Sequence, residues 1–280
     1  MGATAVLTSA LVEPTFLALL RCPRCRAVDS LRVAQGLECS TCGHEFPAGH
    51  GYVDLLDVAR RGEPTAVTLE QRLMESELVA RLYERVWRPT FVRVMAGGGP
   101  GTKMGGFAGE LFIHKNSLAM EERGGPWLDL SCGPGGFTRA MAAAAPGAIV
   151  VGLDIARAML ESAAALARGY TNIMLVRADA HDLPFSDAVF DGINNAGALH
   201  AYDDPEQVFR EIWRALRPGG IYVGSTFSQE ISLIGRVTAR LAGIRRFDRA
   251  ELRAWLSRIG FADYEDMSVG GAFVFRCRKP

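Results

Sequence analysis

Two groups of residues in this chain have the types and the spacing that chemistry requires. The first is the run W-L-D-L-S-C-G-P-G-G-F-T-R at 127–139, where an apolar segment leads into a turn rich in glycine. A strand that ends in Gly-x-Gly and is followed at once by a helix brings its backbone close to a ligand. The ligand then lies against the unpaired N–H groups of the helix N-terminus, so we expect the chemistry to take place here.

The second group is four clustered cysteines. Cys22 and Cys25 form one C-x2-C pair and Cys39 and Cys42 form another, with thirteen residues between the pairs. Together the pairs can place four thiolates on one tetrahedral zinc ion, and such a closed site is structural and not catalytic. The residues between the pairs predict a short hairpin that turns at Gly36. The alternative is a redox pair or four unrelated cysteines.

Composition limits the classes of protein to which this chain can belong. Its 280 residues are 49% hydrophobic and 22% charged, with a formal net charge of zero. That is enough for one large domain with an appendage, and it lacks a chain-wide field that would attract a polyanion. No apolar run reaches the roughly 18 residues that a membrane span needs. No basic residue precedes Arg21, so a secretory signal is not indicated and we expect a cytoplasmic protein.

Apolar strands and helices alternate from Trp127 onward, which predicts an α/β fold with helices on both faces of a parallel sheet. We expect a Rossmann-like seven-stranded sheet whose last strand is antiparallel, plus a small N-terminal zinc-ribbon module. The predicted strands are 127–131, 149–153, 173–177, 190–194, 221–227, 261–267 and 271–278. The predicted helices are 136–145, 156–168, 205–216 and 249–259.

The chain divides into four predicted parts. These are a mobile N-terminus at 1–15, a zinc-ribbon-like module at 16–58, a linker and helical cap at 59–122, and the ligand-binding domain at 123–280. The ribbon is expected to end in the strand 51–56. The linker is at 59–65, the cap helices are at 68–94 and 107–122, and a glycine-rich loop lies at 96–106.

Three side chains of the cap are candidates for lining a substrate pocket. Tyr83, Trp87 and Arg88 lie in the dense amphipathic run L-Y-E-R-V-W-R-P. They either face the ligand or pack the cap helix on the sheet. The segment 229–247 is expected to form the wall of the acceptor pocket.

Polar residues follow the other predicted strands, and ligands of such sheets bind at the carboxyl ends of the strands. Asp154 ends the second strand and can accept both hydroxyls of a ribose. Asp179 and Ala180 follow the third strand, where a carboxylate can accept an adenine amino group. The run N-N-A-G-A-L-H at 194–200 follows the fourth strand.

The glycine turn does not favour a dinucleotide. The fingerprint G-x-G-x-x-G needs glycine at 138, where the chain has Thr138, and Pro134 removes an N–H that a pyrophosphate would use. An adenosine with a zwitterionic tail suits the residues better. Its ammonium would bind Asp129 or backbone carbonyls, and its carboxylate would bind N–H groups.

The motifs L-D-L-S-C-G-P-G-G-F, G-L-D-I-A-R-A-M-L, R-A-D-A-H-D-L-P-F and L-R-P-G-G, in this order, resemble those of class I S-adenosylmethionine-dependent methyltransferases. The resemblance covers about 125–227. Within that superfamily, Y-E-R-V-W-R, A-G-A-L-H and V-G-S-T-F resemble the ubiquinone and menaquinone branch, and above all plant chloroplast methyltransferases with an N-terminal zinc-type knuckle. The resemblance specifies the chemistry but not the methyl acceptor.

The resemblance implies a role for each matching position. It places Gly133, Gly135 and Asn195 at the methionine part of the cofactor and Asp154 at the ribose. It places Ile155 and Met159 on the adenine ring and Asp179 and Ala180 at the adenine edge. We add Asp129 and Ser131, which flank the turn, to the cofactor-binding set.

Methyl transfer from a sulfonium is a direct displacement, so the protein mainly supplies alignment. A general base is needed only when the acceptor must lose a proton. His200 is the candidate because its pKa lies near working pH, and Tyr202 is a second candidate. The alternative for His200 is a packed or substrate-lining residue.

Three functions are compatible with these residues. The favoured one is methylation of an oxygen or carbon of a small molecule. The second is methylation of ribosomal RNA, against which the segment 21–61 carries six basic and five acidic residues and so is hardly a polyanion surface. The third is a zinc module that docks a partner while the domain only binds cofactor. The sequence does not indicate an oligomeric state.

Overall fold

The structure is a computed structural model, and it describes residues 14–57, 76, 88, 106–229, 245–269 and 271–280. The helices are α1 (Pro14–Leu17), α2 (Gly106–Ser117), α3 (Gly136–Ala144), α4 (Arg157–Leu166), α5 (Pro205–Ala215) and α6 (Arg249–Ile259). The strands are β1 (Leu31–Val33), β2 (Leu37–Cys39), β3 (Glu45–Phe46), β4 (Ala48–Gly49), β5 (Tyr52–Asp54), β6 (Trp127–Leu130), β7 (Val150–Asp154), β8 (Ile173–Arg177), β9 (Phe190–Ala196), β10 (Leu216–Phe227), β11 (Ala262–Val269) and β12 (Ala272–Arg278).

Several predictions concern residues that the structure does not describe. The linker at 59–65, the loop at 96–105, the acceptor-pocket wall at 230–244 and all of the helix at 68–94 except Ser76 and Arg88 lie outside the described residues. The predicted helix at 107–122 is α2 followed by a separate 3-10 turn, Met120–Glu122.

The main sheet has nine strands in the order β11-β12-β10-β9-β6-β7-β8-β5-β4. The run from β10 to β5 is parallel, and β12 is antiparallel to both β10 and β11. All seven predicted strands are present, and the antiparallel last strand is confirmed. The predicted strand number is wrong, because β5 and β4 extend the sheet beyond β8.

Alternate residues of the central strands enter two separate cores, as the two-residue period of a strand requires. Trp127 packs in the core that contains Met141 of α3 and Leu160 of α4. The next residue, Leu128, packs in the core that contains Phe209 of α5 and Leu252 of α6. The alternating sequence therefore gives helices on both faces, with the carboxyl ends of β6, β7, β8 and β9 at one edge.

The N-terminal residues cover a stretch of the second face where no helix connects two strands. The connection from β8 to β9, residues 178–189, contains no helix. Phe16, Leu19 and Leu20 are buried in the same core as Leu183 and Phe185 of that connection. Residues 14–20 thus take the place that a crossover helix occupies in other parallel pairs.

The zinc-ribbon prediction is confirmed in its hairpin and wrong in its last strand. Strands β1, β2 and β3 form a separate antiparallel sheet in which Leu31 is opposite Cys39 and Val33 is opposite Leu37. The strand predicted at 51–56 is β5, and it pairs with β8 of the main sheet. This pairing supplies partners for the backbone groups of β8, which would otherwise be the edge strand. Strand β5 of the predicted module therefore belongs to the main sheet, and the predicted domain boundaries stay a prediction.

Candidate cofactor and active site

The glycine turn after β6 has a left-handed backbone conformation at every second residue from 131 to 135. Ser131, Gly133 and Gly135 have φ values of 57°, 55° and 82°. Helix α3 begins at Gly136, so its first N–H groups lie beside the turn. Arg139 of α3 donates a hydrogen bond from Nη1 to the Pro134 carbonyl at 2.7 Å, which fixes the turn against the helix.

Asp154, at the end of β7, is held against the glycine turn. Its Oδ2 accepts a hydrogen bond from the Gly133 N–H at 2.8 Å, and its Oδ1 accepts one from the Ala156 N–H at 2.9 Å. The side chain is buried. A carboxylate has about four lone-pair sites, so a group of this type can accept hydroxyl donors of a ligand as well as backbone donors.

Ile155 directly follows Asp154, and Met159 lies in the first turn of α4; their packing on an adenine ring stays a prediction. Ile155 is partly exposed and Met159 is buried. The Ile155 carbonyl accepts a hydrogen bond from Arg177 Nε at 3.0 Å. That bond ties the end of β8 to the end of β7, where an apolar wall for a ring would lie.

Asp129 is buried inside the protein beneath the turn. Its Oδ2 accepts a hydrogen bond from Thr138 Oγ1 at 2.6 Å, and its Oδ1 accepts one from Asn194 Nδ2 at 2.8 Å. Burial raises the pKa of Asp129 to about 6, against the opposing effect of these two hydrogen bonds. With both oxygens engaged by the protein, Asp129 braces β6 against α3 and β9, and the expected ammonium contact stays a prediction.

A buried chain of hydrogen bonds links Ser131, Tyr202 and Asn195. The Tyr202 hydroxyl lies 2.7 Å from Ser131 Oγ and accepts a hydrogen bond from Asn195 Nδ2 at 2.8 Å. Asn195 Nδ2 also donates to the Leu130 carbonyl at 2.9 Å, whereas its buried Oδ1 has no hydrogen-bond partner within the described part of the chain. Burial raises the pKa of Tyr202, which favours the protonated phenol. Its two hydrogen bonds connect the ends of β6 and β9, and its role as a second candidate base stays a prediction.

Asp179 and His181 form a compact pair after β8. Asp179 Oδ1 accepts hydrogen bonds from the His181 backbone N–H at 3.0 Å and from its ring Nδ1 at 2.7 Å. The other ring nitrogen, Nε2, lies 2.8 Å from Oδ1 of Asp203, an ion-pair distance without hydrogen-bond alignment. Ala180 is buried between them in sequence. His181 thus connects the loop after β8 to the loop after β9.

The pKa of His181 reflects these two carboxylates. Burial alone lowers it, but the hydrogen bond with Asp179 and the negative charges of Asp179, Asp203 and Asp204 outweigh burial and raise the pKa. The imidazolium form is therefore favoured, because its positive charge is attracted by carboxylates on both sides of the ring.

His200 lies in the 3-10 turn Leu199–Ala201 that follows β9. It is buried, and its ring centroid is 5.3 Å from that of Phe227 at the end of β10. The expected position at the carboxyl edge of the sheet is therefore observed. Its role as base or as lining stays a prediction.

Arg88 is the described member of the predicted cap trio, and Tyr83 and Trp87 lie outside the described residues. Arg88 forms an ion pair with Glu110 of α2, with Nη2 at 2.6 Å and Nε at 3.3 Å from the carboxylate oxygens. Its guanidinium stacks 5.1 Å from the ring centroid of Phe137 at the start of α3. Arg88 therefore lies beside the glycine turn, with its charge balanced.

His114 of α2 is a buried neighbour of the site that the sequence did not reveal. Its Nδ1 lies 2.7 Å from Asn194 Oδ1, and its Nε2 has no hydrogen-bond partner among the residues that the structure describes. Because Asn194 donates to Asp129 through Nδ2, its oxygen must accept the proton of His114 Nδ1. Burial lowers the pKa of His114, so a neutral ring carries a bare acceptor at Nε2. No motif or spacing marked it, because an isolated histidine on a helix is ambiguous.

Cys132 lies in the turn, but its environment does not favour a reactive thiolate. The side chain is buried, and burial raises the pKa of the thiol well above its ordinary value. A thiol that stays protonated is a weak nucleophile. The interpretation of Cys132 as a packing residue agrees with this environment.

The four N-terminal cysteines converge. Their Sγ atoms all lie within 4.8 Å of one another, with Cys22 and Cys42 3.8 Å apart and Cys25 and Cys39 3.7 Å apart. Four sulfurs at about 2.3 Å from the centre of a tetrahedron are about 3.8 Å apart. The cluster is thus compatible with one tetrahedral zinc ion.

Comparison with known proteins supports what the geometry indicates. A family model described as "Methyltransferase domain" matches residues 128–224, from β6 into β10. A chloroplastic protein of Arabidopsis thaliana, described as an uncharacterized methyltransferase, is 32% identical over 259 residues, which cover 88% of this chain and 70% of that protein. The chain belongs to the class I S-adenosylmethionine-dependent methyltransferases.

This methyltransferase also resembles enzymes of known substrate over shorter stretches. The demethylmenaquinone methyltransferase of Staphylococcus carnosus is 36% identical over 109 residues, which cover 39% of this chain and 45% of that enzyme. A solved structure of a Haemonchus contortus phosphoethanolamine N-methyltransferase with S-adenosylhomocysteine matches with a TM-score of 0.54 and 17% identity, over 74% of this chain and 60% of that one. The latter shows the fold alone. None of the described helices of this methyltransferase is long and apolar enough to cross a membrane.

Proposed function

We propose that this methyltransferase transfers a methyl group from S-adenosylmethionine to an oxygen or carbon of a small-molecule acceptor. The observation that carries the proposal is the position of Asp154. Its carboxylate lies at the end of β7 and contacts the glycine turn at the end of β6. A ribose bound there would lie beside the N-terminus of α3.

The residues around the turn fit the cofactor by the chemistry of their donors and acceptors. Asp154 offers acceptors for two ribose hydroxyls, and Asp179 with Ala180 offers an edge for the adenine. Asn195 Oδ1 is a buried acceptor with no partner among the described residues. It could accept a hydrogen bond from the ammonium group of the cofactor's methionine part. Ile155 and Met159 offer an apolar wall for the ring.

The cofactor supplies a methyl group that its sulfonium already activates. The chain therefore has to hold donor and acceptor in line, which can lower a barrier by about 7–11 kcal/mol. Two chains of hydrogen bonds fix the strand ends that hold donor and acceptor. One runs from Ser131 through Tyr202 to Asn195. The other runs from Thr138 through Asp129 to Asn194. Two buried networks with short hydrogen bonds limit the positional freedom of the site.

The acceptor is proposed to be an aromatic or quinone-like molecule that presents an oxygen or a ring carbon. His200 and Phe227 place an imidazole and an aromatic ring together after β9 and β10. The relative from Staphylococcus carnosus, which is described as acting on demethylmenaquinone, supports a ring acceptor. We propose that His200 takes the proton of such an acceptor. The cytoplasmic location stays a prediction, because the plant relative is described as chloroplastic.

For the four cysteines we propose a structural zinc ion. The Sγ separations of 3.7 Å and 3.8 Å support a tetrahedral shell. Elemental analysis of the purified protein should give one zinc per chain. Replacement of Cys39 and Cys42 by serine should abolish it, whereas Cys132→Ser should leave the metal content unchanged.

A transfer assay with methyl-labelled S-adenosylmethionine tests the proposed function. The acceptors are a demethylnaphthoquinol, a simple phenol, a carboxylic acid and total RNA. We expect label in one of the ring compounds and none in RNA. Label only in RNA would replace the proposal by the RNA alternative, and an absence of S-adenosylhomocysteine binding by calorimetry would overturn it.

A further inference from the structure

The loop that we propose for the adenine edge is held on both sides by the N-terminal segment. On its upstream side the loop follows β8, which pairs with β5 through Val53 opposite Val176 and Asp54 opposite Arg177. The Leu55 N–H donates to the Arg177 carbonyl at 2.8 Å, and Arg177 Nη1 donates to Asp54 at 3.0 Å. The last residue of β8 before the loop is therefore fixed from two directions.

On its downstream side the loop continues into a strip, Asp182–Ser186, that contacts residues 19–26 along its length. Arg26 forms an ion pair with Asp182 at 2.6 Å, and Arg21 lies 3.5 Å from the same carboxylate. The backbone of the strip also contacts Leu19, Leu20 and Arg21. The Arg21 N–H donates to the Pro184 carbonyl, and the Ser186 N–H donates to the Leu19 carbonyl. Between these two hydrogen bonds, Leu20 and Phe185 form an isolated antiparallel β-bridge.

Charges buried under the strip strengthen this contact. Arg21 Nη2 lies 3.2 Å from Glu211 Oε2, and the same oxygen accepts the Leu183 N–H at 2.9 Å. Arg214 forms a further ion pair with Glu211 at 2.7 Å. Two arginines therefore share one buried carboxylate, and loss of either contact would leave a partner buried and less well compensated.

The two cysteine pairs lie near the two contacts just described, the upstream one at β5 and the downstream one at residues 19–26. Cys22 and Cys25 lie in the segment that contacts the strip, whereas Cys39 and Cys42 precede the start of β5 by thirteen and ten residues. One metal ion bound by all four would tie the segment that holds the downstream flank to the strand that holds the upstream flank. Residues 178–181 lie between the two flanks and include Asp179 and Ala180, which we propose for the adenine edge.

We propose that the metal-bound N-terminal segment holds the loop 178–181 in the conformation that binds the adenine edge. Asp182 is the positioning residue, because it forms the ion pair with Arg26. The inference rests on the proposed function. It predicts that the cysteine module affects the affinity for the cofactor and the preference for adenine over other bases. The residues at the ends of β6, β7 and β9 remain the ones that surround the reacting atoms.

The test compares Asp182→Asn with Asp263→Asn. Each removes one carboxylate from an ion pair of 2.6 Å, with Arg26 and with Arg278 respectively, and Asp263 lies at the far edge of the sheet in β11. Calorimetry measures the Kd of S-adenosylhomocysteine and of its inosine analogue, which lacks the adenine amino group. We expect Asp182→Asn to weaken S-adenosylhomocysteine three- to tenfold and to reduce the preference over the inosine analogue. Asp263→Asn should change neither by more than twofold.

Removal of the metal by a chelator, followed by the same two titrations, should give a larger loss in the same direction. Hydrogen exchange should become faster in 178–186 of Asp182→Asn and stay unchanged in 131–136. A merely destabilised protein would lose affinity for both ligands in equal proportion, and that result would overturn the inference. So would wild-type affinity and preference in Asp182→Asn. If the wild type itself failed to bind S-adenosylhomocysteine, the proposed function would fail instead.

Discussion

The carboxylate of Asp154 accepts a hydrogen bond from the Gly133 N–H at 2.8 Å, across the gap between the ends of two neighbouring strands. One side chain thereby connects the glycine turn to the end of β7, and its contact with a ribose stays a prediction. Because its second oxygen accepts the Ala156 N–H, both oxygens are oriented by the backbone. Asp154 belongs to the end of β7, so the shape of the turn depends on the neighbouring strand as well as on its own glycines.

Replacement of Asp154 by asparagine should weaken S-adenosylhomocysteine binding by about 10- to 100-fold. A hydrogen bond to a charged group contributes roughly 1.5–3 kcal/mol, and asparagine retains only one acceptor for the two backbone donors. Calorimetry measures the change. Asp191→Asn is the matched control, because Asp191 pairs with Arg217 on the surface at 2.8 Å. Equal affinity in both variants would remove Asp154 from the cofactor site.

Asp129 should make the stability of the protein depend on pH. Burial raises its pKa from 3.8 to about 6, so the folded state binds this proton more tightly than the unfolded state does. The stabilisation is complete below about pH 4 and is lost as the pH rises through 6, by up to about 3 kcal/mol. Urea unfolding of the wild type and of Asp129→Asn between pH 4 and 7.5 gives the difference. Parallel curves would contradict the prediction.

His181 should give a pH dependence at higher pH. Its pKa is raised in the folded state by Asp179, Asp203 and Asp204, despite burial. Its contribution to stability is therefore fully present below the unfolded pKa of about 6.5 and is lost as the pH rises through the folded pKa. His181→Asn keeps a donor for Asp179 but carries no charge. The free energy of unfolding, measured at pH 6 and pH 9, should fall more in the wild type; an equal fall in both proteins would refute the assignment.

His200→Gln should separate a base from a lining residue. A general base contributes roughly 10²- to 10⁴-fold, so kcat with an ionisable acceptor should fall by that factor while the Kd of S-adenosylhomocysteine is unchanged. Steady-state kinetics with the ring acceptor and calorimetry are the two measurements. If kcat changed less than fivefold and only the acceptor KM rose, His200 would be a lining residue.

Local patterns in the sequence were sufficient to predict the parallel sheet and the main ligand edge. Gly133 and Asp154 each follow a short apolar run, and in a parallel sheet such positions must meet at one edge. The hairpin between the cysteine pairs was predictable for a similar reason, since Gly36 lies midway between two apolar segments. Each of these features depends on neighbours within about ten residues.

Tertiary context decided what the sequence did not reveal. Strand β5 has only three residues, and nothing in Tyr52–Asp54 specifies whether it pairs with the ribbon or with β8. Glu211 lies on an amphipathic helix, where an acidic residue is usually solvated, yet it is buried and shared by Arg21 and Arg214. The burial of Asp129 depends in the same way on Asn194, 65 residues away.

The pairing of β5 with β8 also determines where the chain can be shortened. A fragment that begins at residue 106 would retain the glycine turn and Asp154, and yet it would expose the N–H and C=O groups of β8 and the apolar surface of Leu183 and Phe185. An open strand edge next to an apolar patch is a template for association between copies. We therefore expect that fragment to precipitate when it is expressed alone, and to become soluble again when residues 1–57 are supplied as a separate chain.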